Sequence, residues 1–279
     1  MPTAASQSSP LTTKLMNRIL AACLALTANP AAAAPFIVAH RGASHDAPEN
    51  TLPAFELAWR QGADAIEGDF HLTVDGEIVC IHDYDTARVS GSKRVVKDST
   101  LAELRALDAG ARFKPGFKGT RLPTFAEVAA TVPDGRKFYI EVKCGPEIIP
   151  ALLKGIVKSG LGASQIVVIS FHAPVIRELE KQVPGFKTCW LSSFKKQSPL
   201  YPASGEVLAT LRDIKADGFS SRADARLDPG YIQPIRDAGF EYHCWTVDHP
   251  ETARQFLTLG AQSITTNRPA FLREALKAE

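Results

Sequence analysis

An excess of charge of one sign is missing from this sequence: 32 Lys and Arg stand against 30 Asp and Glu, a formal net charge of +2 over 279 residues. Without a concentrated cationic face, electrostatic capture of a nucleic-acid backbone is excluded as an organising function, and no nucleic-acid partner is expected. Long apolar runs are missing too. The run from Ile19 to Ala28 is too short to span a bilayer as an ordinary anchor. Cysteine is sparse: beyond the N-terminal segment only Cys80, Cys144, Cys189 and Cys244 remain, with no C-x-x-C pair and no metal-ligand spacing. All four fall in apolar, strand-like segments and read as buried thiols packed as small hydrophobes. An oxidising compartment would leave a disulfide open, with a pairing that sequence does not choose. There is no internal repeat, and the only biased tract is the alanine-rich N-terminus.

What is present is an ordinary share of apolar and charged residues, enough to bury one substantial α/β core without requiring two domains. The N-terminus has the order of an export signal. Lys14 and Arg18 precede the apolar run, then come Asn29-Pro30 and the small residues Ala31 to Ala34. Residues 1–34 are therefore expected to be a signal peptide, with Met16 an alternative start and cleavage between about Ala32 and Phe36. The mature chain, 35–279, is expected to be exported to a periplasmic or extracellular space and to carry no membrane span. Leu20-Ala21-Ala22-Cys23 has the form of a lipoprotein cleavage box, but the apolar stretch before it is too brief for lipidation to be expected.

Short β-branched runs predict strands at 36–40, 65–70, 78–82, 138–142, 166–170, 188–191, 218–220, 242–247 and 263–266. Amphipathic stretches near 52–61, 124–131, 147–159, 174–182, 204–215, 229–238, 250–259 and 269–277 separate most of them, which implies parallel βαβ units. Nine strands exceed a barrel of eight by one. Asp75-Gly76 identifies the extra one, because a two-residue hairpin turn joins only antiparallel neighbours. The expected fold is a TIM-type (β/α)8 barrel with a β-hairpin after strand 2. In that hairpin Val74 faces Glu77, and Asp69 lies opposite His82. The segment of about 84–122 is too long for an ordinary βα loop and is expected to form a small capping insertion at the barrel mouth, with one helix near 101–107.

Glu67 and Asp69 lie two apart on one predicted strand and share a face; Glu141 and Lys143 repeat that spacing on the next barrel strand. Carboxylates converging in a barrel interior repel one another, and a hard divalent cation, Ca2+ or Mg2+, resolves the repulsion with oxygen ligands. His40-Arg41 and both acidic pairs fall at strand C-termini, the end where barrel enzymes place their sites, and His82 ends the hairpin beside them. Buried charges of this number without partners would be costly, so the group reads as a site.

His40-Arg41-Gly42, Pro48-Glu49-Asn50-Thr51, Gly62-Ala63-Asp64 leading to Glu67-x-Asp69, Asp75-Gly76, His82-Asp83, Leu107-Asp108-Ala109-Gly110, Leu122-Pro123-Thr124 and Glu141-Val142-Lys143 resemble the glycerophosphodiester phosphodiesterase family in order and spacing. The resemblance runs from about Phe36 to Glu279 and is strongest in the first half. It implies one divalent cation held by Glu67, Asp69 and Glu141, catalytic histidines at His40 and His82, and phosphate contacts from Arg41 and Lys143. The implied reaction is hydrolysis of a small phosphodiester to glycerol 3-phosphate and an alcohol, with the histidines as a general acid and base whose individual roles stay open. Asn50 or Thr51 can cap the following helix, with Pro53 in its first turn, and Glu49 is expected to orient Arg41 or the metal shell. Phe171 and Trp245 can line the alcohol pocket or pack in the core.

The second half departs from the family pattern. Asp248 follows Trp245-Thr246-Val247 where the family usually has Asn, and Gln262 and Asn267 replace acids common near the last strand. No metal ligand or histidine is lost, so the shape of the substrate pocket is what these changes put in question. A lysophospholipid or phospholipase D-like diesterase on the same machinery, and a phosphorylated-solute binding protein without turnover, are the alternatives. The first is disfavoured by the lack of an amphipathic basic stretch, the second by the completeness of the acids and histidines.

Overall fold

The computed structural model describes residues 35–196 and 200–277. The expected signal segment, 1–34, and its cleavage site lie outside the described residues, apart from Pro35 and Phe36 at its end. Among the described residues nine strands form: β1 Phe36–His40, β2 Ala65–Leu72, β3 Ile78–Cys80, β4 Lys137–Val142, β5 Ile166–Ser170, β6 Lys187–Ser192, β7 Gly218–Arg222, β8 Glu241–Trp245 and β9 Ser263–Thr266. All pair in parallel except β2 with β3, and the sheet closes through β1 pairing both β2 and β9. The result is a (β/α)8 barrel with β3 attached to the upper part of β2.

The helices of the barrel are α1 Leu52–Arg60, α4 Phe125–Ala129, α5 Ile149–Ser159, α6 Ala173–Gln182, α7 Ser204–Ile214, α8 Pro229–Asp237, α9 Pro250–Thr258 and α10 Pro269–Lys277; α2 Ala87–Ser90 and α3 Leu101–Arg105 belong to the insertion. Six of the barrel helices begin with proline in the first turn. There the missing N–H has no intrahelical partner to lose and the fixed φ suits helix entry. Helices α3 and α4 start with complete capping boxes, Thr100 with Glu103 and Thr124 with Glu127. Among the described residues no helix is long and apolar enough to cross a membrane.

Alternation along the strands sorts side chains into two layers. Val38, Ala65, Tyr139, Val167, Ile169, Cys189 and Leu191 fill the barrel interior. Their neighbours in sequence, such as Ile66, Phe70, Phe138 and Ile140, pack outward under α1, α4 and α5. The insertion has its own small core, Val96, Leu104, Ala109 and Leu122, seated on Val79 and Ile81 of the hairpin. Burial raises the Cys189 and Cys244 thiols well above their ordinary range, and Cys80 is buried as well. Cys144 is the exception to the expected pattern. It is half-buried, because it follows β4 rather than lying in it, and all four thiols are free.

The hairpin register differs from the expected one. Its loop has three residues, Val74-Asp75-Gly76, closed by Thr73 N donating to Glu77 O at 2.9 Å. Gly76 takes φ +78°, the left-handed position that follows a type I turn in three-residue hairpins. The Thr73 hydroxyl accepts from Glu77 N at 3.0 Å, which gives the longer loop a polar brace. Phe70 therefore faces Cys80, and Ile81 N donates to Asp69 O at 2.9 Å, so Asp69 lies opposite Ile81 and not His82. The strand stops at Cys80, and His82 reaches the mouth from the loop beyond it.

Candidate active site at the barrel mouth

The site is built where β1, β2 and β4 end. The register sets His40 beside Glu67, Glu67 beside Tyr139, and Asp69 beside Glu141, so two layers of inward side chains meet at the mouth. The turn after β1 is shaped by two residues at positive φ, Arg41 at +55° and Gly42 at +80°. A Cβ on Gly42 would come within 2.5 Å of the Ala54 backbone, so α1 approaches only because that residue is glycine. The left-handed turn points Arg41 N at Glu67 Oε2, 2.9 Å away. An unfavourable backbone conformation for arginine is thus tied to a buried carboxylate of the candidate site.

Glu67, Asp69 and Glu141 are buried, and each offers a carboxylate oxygen within 4.8 Å of the others. Glu67 Oε1 and Asp69 Oδ1 have no hydrogen-bond partner. Burial and the neighbouring Asp69 and Glu141 carboxylates push Glu67 well above its ordinary range. Burial and Asp69 push Glu141 up to about 7, with Lys143 opposing. Burial acts on Asp69 in the same direction, but Arg41 and Lys143 outweigh it and hold that carboxyl well below its usual value. The Lys143 ammonium donates to Glu141 Oε1 at 2.7 Å and stands 3.4 Å from Asp69 Oδ1; Arg41 Nε is 3.1 Å from Asp69 Oδ2. Two cations against three carboxylates leave negative charge and bare oxygens in a dry place. That is the condition a hard divalent cation satisfies.

Asn50 does not cap α1, and neither does Thr51, whose hydroxyl donates to Pro48 O. Asn50 instead holds Asp69 from both sides: its amide Nδ2 donates to Asp69 Oδ2 at 2.8 Å, and its Oδ1 accepts from Asp69 N at 3.1 Å. Asn50 has φ +56°, a conformation asparagine tolerates better than most residues. Glu49 Oε1 accepts from Arg41 Nη1 at 3.0 Å. Arg88 of α2 grips Glu49 through two bonds of 2.8 Å and donates to Asp83 Oδ2 at 2.6 Å. The insertion is therefore fastened to the site by one arginine that composition and spacing did not single out.

A cavity of about 230 Å³ opens over this cluster, lined by His40, Arg41, Glu67, His82, Glu141 and Lys143 on one side and by Ile169, Phe171, Leu191, Ser220, Arg222 and Trp245 among others on the opposite side. Phe171 and Trp245 meet edge to face at 5.5 Å and form a wall of the cavity, not part of the core. His40 Nδ1 lies 2.7 Å from Asn267 Oδ1; His82 Nδ1 lies 2.7 Å from Asp83 Oδ1. Burial, reinforced by Arg41, lowers the His40 pKa to about 4, so the ring is neutral near pH 7. Ser44, Asp83, Arg88 and Asn267 are contributors the sequence reading did not assign. Asn267 had a signal in its position, one residue past the last strand, because β9 is the neighbour that closes the barrel onto β1. A second group, Cys189, Glu241 and His243, sits deeper in the barrel and is satisfied internally: Lys187 Nζ donates to Glu241 Oε1 at 2.9 Å, and Ser263 Oγ is 2.8 Å from His243 Nδ1.

The sequence profile of the Glycerophosphoryl diester phosphodiesterase family matches residues 40–271. The chain is 31% identical over 242 residues to a glycerophosphodiester phosphodiesterase of Caldanaerobacter subterraneus, covering 85% of this chain and 95% of that protein. A glycerophosphodiester phosphodiesterase of Bacillus subtilis is 29% identical over 258 residues, with 86% of each chain covered. Among solved structures, an Oleispira antarctica phosphodiesterase in complex with the product sn-glycerol-3-phosphate superposes with a TM-score of 0.79 at 24% identity, covering 88% of this chain and 97% of that one. A glycerophosphodiester phosphodiesterase of Agrobacterium tumefaciens gives 0.71 at 27% identity, covering 86% and 99%.

Proposed function

This chain belongs to the glycerophosphoryl diester phosphodiesterase family, and from that premise we propose that it hydrolyses glycerophosphodiesters to glycerol 3-phosphate and an alcohol with the aid of one divalent cation. The observation that carries the reading is the convergence of His40, His82, Arg41, Lys143 and the three carboxylates on one cavity. A phosphodiester is a stable anion. Its hydrolysis needs charge neutralised, a nucleophile deprotonated and a leaving alkoxide protonated.

Glu67, Asp69 and Glu141 would hold the cation, which when bound supplies Lewis-acid stabilisation of the phosphoryl oxygens. Arg41 and Lys143 line the same cavity and offer N–H donors to the remaining phosphate oxygens. His40, neutral and with an amide oxygen beyond Nδ1, is suited to accept a proton at Nε2. His82 lines the same cavity with the Asp83 carboxylate at its Nδ1, a contact that orients the ring, and is suited to give a proton to the departing alkoxide. Phe171 and Trp245 provide an apolar wall for the alcohol. The order of residues 1–34 in the sequence supports export, under which the activity would lie outside the cytoplasm and Ca2+ would be a reasonable ion.

The deciding experiment measures glycerol 3-phosphate release from glycerophosphocholine, glycerophosphoethanolamine and glycerophosphoglycerol after chelation and after return of Ca2+ or Mg2+. Turnover restored by the ion is expected; full activity in exhaustive EDTA, or no turnover of any glycerophosphodiester, would sink the reading. A lysophospholipid diesterase is the second reading. It is favoured by a larger cavity of about 630 Å³ that shares Lys143 and is walled in part by Leu72, Tyr84, Val95 and Val96. Faster turnover of lysophosphatidylcholine than of glycerophosphocholine would select it.

A further inference from the structure

Two of the three departures from the family pattern in the second half of the chain, Asp248 and Asn267, meet at one point. The β1–β9 register pairs Ala39 with Thr266, so the next residue of each strand, His40 and Asn267, lie side by side. Asn267 Oδ1 is 2.7 Å from His40 Nδ1, and the Ser44 hydroxyl donates to the same oxygen at 2.8 Å. On its other side Asn267 Nδ2 donates to Asp248 Oδ2 at 2.7 Å. Asp248 is itself fixed, its Oδ1 accepting from Asn267 N at 2.8 Å and from Thr266 Oγ1 at 2.8 Å. Asn267 O also accepts from His45 N at 3.1 Å.

The chemistry of these partners leaves one assignment. Asp248 as a carboxylate only accepts, so the side of the Asn267 amide that faces it must be the NH2 group. Turning the amide over would set two acceptors 2.7 Å apart. The side that faces His40 is then the carbonyl, which also only accepts, so His40 Nδ1 must carry the proton. The remaining ring nitrogen, Nε2, is left bare on a residue that lines the cavity.

We propose that Asn267 is a positioning residue that fixes His40 in the Nδ1–H tautomer, and that Asp248 fixes Asn267. This rests on His40 being the proton acceptor of the proposed reaction. A ring held in the other tautomer would present N–H to the cavity and could not take a proton there. Without the amide the ring is free both to change tautomer and to rotate. The two departures are thus one device, an acid at 248 keying an amide at 267, and their effect falls on the catalytic ring rather than on the outline of the pocket.

Ring 15N spectra of the metal-loaded protein, with His40 assigned through His40→Gln, read the tautomer without reference to turnover. The parent protein is expected to show a protonated Nδ1 and a bare Nε2 for His40 near pH 7.5. In Asn267→Ala the two nitrogens should exchange character or average, and kcat for an alkyl diester should fall on the order of 10²-fold, the scale of losing a positioned base, with KM little changed. The interchange Asp248→Asn/Asn267→Asp puts an acceptor back at Nδ1 and an amide donor opposite it. It should restore the Nδ1–H signature and most of kcat. An Nε2–H tautomer in the parent, or an unchanged Nδ1–H ring in Asn267→Ala, would overturn the proposal. The expected tautomers with no turnover of any glycerophosphodiester would instead overturn the reading of function and leave the positioning role standing.

Discussion

The two halves of the barrel mouth contrast sharply. Strands β1, β2 and β4 and the residues just beyond them bring His40, Arg41, Glu67, Asp69, Glu141 and Lys143 together, while β5 to β9 and the residues just beyond them contribute Phe171, Leu191, Ser193, Ser220, Arg222, Trp245 and Thr265 around the same cavity. One half concentrates charge that is internally unbalanced. The other is mostly apolar or hydroxylic and has a single charged side chain at the rim. Under the proposed function, the difference divides the chemistry and the recognition of the alcohol by strand order. The halves meet again where β9 lies against β1, and there the quiet half supplies Asn267 to the charged one.

Removal of the cation should have the largest effect, and on the charged half alone. Chelation is expected to abolish hydrolysis and also to lower the melting temperature, because the carboxylates lose what balances them. Glu67→Gln should reverse the second effect: in EDTA it should melt above the parent, having shed a repelled carboxylate, yet gain little on addition of Ca2+ or Mg2+. Calorimetry in the two buffers checks this, and a Glu67→Gln protein stabilised by the ion as strongly as the parent would contradict it.

Next in size are the histidines. With an alkyl leaving group, His40→Ala and His82→Ala should each lose on the order of 10²–10⁴ in rate. With p-nitrophenolate, which departs without a proton, His82→Ala should recover most of that loss and His40→Ala should not. Equal behaviour of the two variants would dissolve the division of labour drawn from their different partners, Asp83 and Asn267.

The pH dependence of ion binding sharpens the electrostatic side of the contrast. Glu141, held up to about 7 in the ion-free protein, must lose its proton for the ion to bind with full affinity, so affinity should fall as pH drops through 7. The sign for stability is the opposite. Between the ordinary glutamate value and 7 the folded state binds more protons than the unfolded one, so this group makes the ion-free protein less stable as pH rises through that window. Titration calorimetry and melting curves between about pH 5 and 8, a span that brackets the raised Glu141 value, would test both signs. Flat affinity across that range would refute the first.

The quiet half should answer most weakly. Phe171→Ala and Trp245→Ala remove one wall of the cavity. They are expected to raise KM by about tenfold for diesters of bulky alcohols, the scale of one lost apolar contact, and to leave kcat near the parent. A large fall in kcat with unchanged KM would move these aromatics from recognition into the chemistry.

Much of this was legible in the chain because local rules decide it. Alternating β-branched runs and amphipathic stretches gave strand and helix positions that the structure changes by a residue or two at most ends. Glu67 and Asp69, spaced by two on one strand, must share a face whatever the tertiary structure, and Lys143, one residue past β4, keeps the same spacing from Glu141, so their convergence could be read in advance. The hairpin register could not. Asp75-Gly76 permits both a two-residue and a three-residue loop, and only the brace from Thr73 to Glu77 selects the longer one. Asn50 looked like a helix cap because its neighbours suit one. It holds Asp69 instead, since folding sets α1 against β2. The pairing of Asn267 with His40 spans 227 positions and exists only because the last strand closes the barrel against the first. Periodicity and side-chain chemistry along the chain determined which residues could act; closure of the barrel decided which of them touch, His40 and Asn267 among them.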